Sequence, residues 1–124
     1  MPTVKNRFRS ALLLLIAAAP LLARNPAAAA FDMNHLVTVR GIVTRVEWTN
    51  PHAYIYLNVQ EANGAVHEWG TEIRDIAALK RYGWTRNTVR PGDAIACTGG
   101  PARSGVRLIW GTMVQLPGGA KRPL

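Results

Sequence analysis

The chain has a single cysteine, Cys97, in 124 residues. A lone thiol excludes an internal disulfide framework and any zinc site built from paired cysteines. Serine is nearly as scarce: Ser10 lies in a basic and apolar leader, and Ser104 is the other. Nucleophilic catalysis needs a Ser, Thr or Cys beside a base that a third group orients, and nothing around Ser104 or Cys97 has the form of a nucleophile elbow. Acid is short as well, with 7 Asp and Glu against 15 Lys and Arg. The two carboxylates on one strand face, Glu68 and Glu72, lie about 13 Å apart at ~3.3 Å per residue. Glycosidase pairs stand ~5–9.5 Å apart, so catalysis is not expected. Long apolar runs are also missing. Ala11 to Leu22, interrupted by Pro20, falls short of the ~20 residues that a membrane-spanning helix needs.

What the N-terminus does have is a charged start (Lys5, Arg7, Arg9), that short apolar middle, and a small-residue tract, Ala27 to Ala30. These are the three parts of a secretory signal peptide. Residues 1–30 are expected to leave on export, and the mature chain is expected in the periplasm with no stable membrane span. The full chain carries +8 with a pI near 10.8, which by itself points to nucleic acid or an anionic membrane surface. Loss of Lys5, Arg7, Arg9 and Arg24 leaves 11 basic against 7 acidic residues. That surplus reads as scattered over the helix, the strands and the loop holding Arg103. Nucleic acid is therefore not the expected partner.

From Leu36 the pattern is β. Leu36 to Trp48 is rich in β-branched residues, and Gly41 followed by Ile42-Val43 shifts the phase, which suggests a bulge or bend in a long first strand. After the turn Thr49-Asn50-Pro51-His52, the strand Ala53 to Gln60 alternates cleanly, with Ala53, Ile55, Leu57 and Val59 inward. Asn63-Gly64 closes a hairpin into Ala65 to Ile73. A two-residue turn would bury Glu68 and Glu72 opposite Val59 and Ile55. A three-residue loop with Gly64 left-handed pairs Leu57 with Trp69 and Ile55 with Thr71, and leaves both carboxylates outside. The second register is preferred, because an unpaired buried carboxylate costs several kcal/mol. Asp75 caps a short helix, Ile76 to Tyr82, which Gly83 ends. Pro91-Gly92-Asp93 turns into a strand from Ala94 to Thr98, whose alternation buries Cys97. A last strand runs from Val106 to Leu116, and residues 120–124 are expected to form a flexible tail.

The order β-β-β-α-β-β predicts an all-β domain with one short helix over residues 31–119, a five-stranded barrel like the OB-fold. In that fold the loop after the first strand and the loop between the last two border one binding face. This brings Trp48, Asn50 and His52 toward Arg103 and Arg107, with Tyr54 and Tyr56 on the adjoining strand. Aromatic rings beside guanidinium groups suit a small anionic or planar ligand, an envelope protein being the other partner considered. No cofactor is expected. His35, His52 and His67 offer no ligand spacing on one element, and His52 and His67 stand about 23 Å apart along their strands. Copper or zinc bound through His52 is the alternative function, and a nucleic-acid-binding barrel is a further one.

Phe31-Asp32, Val37 to Gly41, Val46 to His52, Asn63-Gly64, Glu68-Trp69, Glu72, Leu79 to Trp84 and Pro91-Gly92-Asp93 together resemble the family of small exported bacterial proteins called DUF6152. The likeness spans residues 31–119. It implies export and the barrel, and it carries no biochemical activity. A His-His pair that relatives place before the Phe-Asp is replaced here by Asn25-Pro26 and alanines, so no metal role transfers with the resemblance.

Overall fold

The computed structural model describes residues 26–124; the basic start and apolar run of the expected signal lie outside them. The alanine tract forms a short helix, α1 (Pro26–Ala30). The barrel follows as β1 (Val37–Glu47), β2 (Tyr54–Gln60), β3 (Val66–Glu72), α2 (Ile76–Arg81), β4 (Ala94–Pro101) and β5 (Leu108–Gln115), with a short β6 (Lys121–Pro123). Strands are ordered β3-β2-β1-β4-β5-β6, and a parallel pairing of β3 with β5 closes the sheet on itself. This is the expected OB-like barrel.

β1 is long because two partners share it. Val37 to Ile42 pair with β4, and Ile42 to Glu47 pair with β2. The expected irregularity lies between Val43 and Arg45, slightly beyond Gly41. Gly41 has a different reason to be glycine: a Cβ there would run into the Asn58 carbonyl. The β2–β3 register is the one that keeps carboxylates outside, with Leu57 opposite Trp69, Ile55 opposite Thr71 and Tyr54 opposite Glu72. Gly64 takes the left-handed conformation at φ 84° that the three-residue loop requires.

The core is built from the inward positions of β1, β2, β4 and β5, among them Ile55, Leu57, Ile109 and Val114, with Ile73 just past β3. α2 and the segment after it cover one end by inserting Leu79, Trp84 and Val89. Asp75 Oδ1 accepts from the Ala78 amide at 2.8 Å and starts the helix. Cys97 is fully buried on β4, as its alternation implied, and burial pushes its thiol up to about 11.

The C-terminus corrects an expectation. Residues 120–124 are held rather than a flexible tail: β6 (Lys121–Pro123) pairs with β5, and Leu124 packs into the core at 1% exposure. The Trp84 indole N–H donates to the Pro123 carbonyl at 2.7 Å. A lone apolar residue after Lys121-Arg122-Pro123 gives no alternation to read, so the pattern alone could not place it.

Candidate binding pocket

Closure of the barrel juxtaposes residues that are distant in sequence. Glu72 at the end of β3 pairs with Trp110 of β5, and the chain entering β2 carries His52 to the same place. His52 Nδ1 lies 2.7 Å from Glu72 Oε1. A carboxylate only accepts, so Nδ1–H donates. The imidazole also stands edge-on to Trp110, 84° between planes and 5.0 Å between centroids. Phe31 completes the wall, its ring 6.0 Å from that of Trp110.

These side chains line a cavity of about 420 Å³, together with Val106, Leu108 and Arg103. Most of its surface is aliphatic or aromatic, and the polar groups are few: the His52–Glu72 pair, Arg103 and Ser104. Such a balance is typical of small-molecule sites. In the uncleaved chain α1 forms part of the rim through Ala27 and Ala30, held by the Arg103 amide, which donates to the Ala30 carbonyl at 2.9 Å, and by the Arg103 guanidinium on Ala28. An antiparallel bridge between Phe31 and Ala102 fixes the same strap.

Beside the cavity, the outer face of β2 carries Tyr54 and Tyr56 stacked at 16° and 6.1 Å. The Arg45 guanidinium lies 3.9 Å over Tyr56 and reaches Glu47 and Glu68 at 3.2 and 3.6 Å. Burial holds the Tyr54 phenol above its ordinary range, and the charge of Glu72 and a hydrogen bond to it add to the effect. For Tyr56 the causes are burial, then the charge of Glu47.

Of the residues singled out in the sequence, His52 and Arg103 line the one cavity, and Tyr54 and Tyr56 flank it. Trp48 does not join them. It packs half-buried against the core and borders a separate groove with Arg86 and Arg90. Asn50 has a structural task, its Oδ1 accepting from the Ile76 amide at 3.0 Å at the start of α2. Arg107 turns away to Glu61, its Nε donating at 3.0 Å. Phe31, Glu72 and Trp110 were not among the expected site residues. Glu72 had been placed outside, opposite Tyr54; its contact with His52 is that of a diagonal neighbour in the β2–β3 hairpin, whereas its contact with Trp110 depends on the parallel β3–β5 closure, which has no local signature.

Each histidine faces its own carboxylate: His35 with Asp32 at 2.9 Å, His52 with Glu72, and His67 with Glu61 at 3.4 Å. His35 holds the Asp32 carboxyl below its usual range, chiefly through their hydrogen bond. Among the described residues no three His, Cys, Asp or Glu gather into a metal-binding group, and no helix is long and apolar enough to cross a membrane.

Sheet order, helix position and barrel closure together define an OB-fold barrel. One solved structure that it resembles is Rim1, a mitochondrial single-stranded DNA binding protein from S. cerevisiae, with a TM-score of 0.51 at 10% identity, covering 66% of this chain and 92% of that one. At that identity the likeness is one of fold. The chain belongs to the family of unknown function DUF6152, whose profile matches residues 13–110. No curated protein matches it.

Proposed function

We propose that the protein is an exported, non-catalytic binding module of the bacterial periplasm, and that its site is the cavity between Phe31, His52, Glu72, Arg103 and Trp110. The observation that carries this reading is the cavity itself. Two aromatic rings and aliphatic side chains supply apolar walls, while one tethered imidazole and one guanidinium supply the few polar contacts. A small planar ligand bearing an anionic group suits it, with its ring against Trp110 and Phe31 and its charge toward Arg103.

Ser104 borders the same cavity as the His52–Glu72 pair, which raises the question of a hydrolase. Its hydroxyl oxygen accepts from the Val106 amide at 3.5 Å, and among the described residues no hydrogen bond joins it to His52. A nucleophile needs that bond to its base. Binding is the reading favoured.

Ligand-observed NMR with a panel of aromatic carboxylates and the matching neutral amides tests it. The carboxylates should bind, Trp110→Ala should abolish the signal, and Arg103→Ala should remove the preference for the charged members. Equal binding by both variants and wild type would sink the site assignment. Fractionation of the native host, with N-terminal sequencing of the protein recovered, tests export separately.

A further inference from the structure

Between residues 31 and 124 the 11 basic residues exceed the 7 acidic ones by four. The sequence suggested that this surplus is spread over the surface, and the structure corrects that. Arg74, Lys80, Arg81, Arg86 and Arg90 all belong to α2 and the segments flanking it, where that part of the chain covers one end of the barrel. Arg122 joins them from β6, its guanidinium donating to the Gly83 carbonyl at 3.3 Å. Asp75 and Asp93 lie on the same stretch and accept from backbone amides, those of Ala78 and Arg90, and the mutually neutralising Arg45–Glu47 pair borders it. The remaining five basic and five acidic residues balance over the rest of the molecule. The whole excess sits at one pole.

Its cations are also unneutralised. Among the described residues none of the six is in an ion pair, and every ion pair found lies elsewhere. Arg74 donates to the Tyr82 hydroxyl at 2.8 Å, and Tyr82 is itself exposed. Arg86 and Arg90 border a groove of about 560 Å³ beside Trp48, Thr49 and the Arg45–Glu47 pair.

We infer that this pole is a docking surface for the anionic headgroups of a phospholipid membrane. Single-stranded nucleic acid needs cations interleaved with exposed aromatic platforms on which bases stack. The tryptophans at the pole do not offer them: Trp84 is buried and Trp48 packs on the core. The half-buried tyrosine stack, Tyr54 with Tyr56, lies on the face where Glu47, Glu68 and Glu72 outnumber Arg45, which repels a phosphate backbone. Unpaired point charges with a peripheral tyrosine match a diffuse array of phosphates at a bilayer surface. The choice of lipid over nucleic acid rests on the export reading above.

Co-sedimentation of the full chain with vesicles of phosphatidylglycerol and phosphatidylcholine in equal parts, against pure phosphatidylcholine, tests the inference. All variants keep the apolar leader, so its contribution is common to every arm. The wild type should bind the anionic vesicles and be released by salt. Arg86→Glu/Arg90→Glu should lower that binding about tenfold or more, because each cation near the surface contributes several-fold. Arg40→Glu/Lys121→Glu makes the same charge change on a separate groove, which neither Arg122 nor any other pole cation lines, and should stay within about threefold. Equal loss in the two double variants would show a net-charge effect and overturn the surface assignment. So would equal binding to both vesicle types. Tighter retention of an oligo-dT strand, lost in Arg86→Glu/Arg90→Glu, would replace lipid by nucleic acid. Circular dichroism melts confirm folding, and Arg86→Gln/Arg90→Gln serves if the charge reversal does not fold. Vesicle binding is read on purified protein and export by fractionation, so either can fail without the other.

Discussion

The cavity and the basic pole handle charge in opposite ways. Around the cavity and the adjoining strand face, charged side chains meet a partner: His52 sits on Glu72, and Arg45 lies between Glu47 and Glu68. At the pole Asp75 and Asp93 accept from backbone amides, and among the described residues none of the six cations is in an ion pair. A region whose groups are mutually satisfied holds its geometry and can select a ligand by shape. A region of unpaired cations projects a field and attracts any dense anionic surface, with little demand on fit. One small barrel thus carries a shaped site and an electrostatic one, and mutations should separate them.

The largest effect is expected at the shaped site. Trp110→Ala removes the ring that Phe31 and His52 both touch, and should lower unfolding stability by about 2–3 kcal/mol in urea titrations, as truncation of a largely packed aromatic does. Glu72→Gln keeps the size and removes the charge opposite His52; a loss of about 1–2 kcal/mol is expected, read in the same titration. Asn50→Ala deletes the acceptor for the Ile76 amide and should cost about 1 kcal/mol, without changing ligand binding if Asn50 acts only on α2. Smallest should be Arg86→Glu/Arg90→Glu, within about 0.5 kcal/mol of wild type. A large loss there would mean that these arginines hold the fold, and the contrast between the two regions would collapse.

Much of the barrel was legible because strands one to three report themselves locally. Alternation from Ala53 to Gln60 and the Asn63-Gly64 turn, with the penalty for burying Glu68 and Glu72, were enough to select the observed register. Asp75 and Gly83 bounded α2 in the same way. The cavity was legible only in part. His52 and Arg103 could be brought together by loop position in the fold, but Phe31, Glu72 and Trp110 meet through the β3–β5 closure and the α1 strap, contacts with no sequence-local pattern. Trp48 and Asn50 misled because their local chemistry, an aromatic and a turn amide, fits a binding loop as well as it fits a core contact and a helix cap. The concentration of charge was likewise hidden. Arg122 is 32 residues from Arg90, and only the pairing of β6 brings it to Gly83.

Cys97 has a practical consequence. Its thiol is fully enclosed and held to about 11, and it is the only one in the chain. At neutral pH it can react with an alkylating reagent only when the barrel opens around β4. Its labelling rate, measured against an unfolded control, therefore counts those openings directly. The protein carries its own clock for transient unfolding, positioned on β4 between β1 and β5, the strand that closes onto β3. Slower labelling on addition of a ligand or a vesicle would report binding without a tag or an introduced probe.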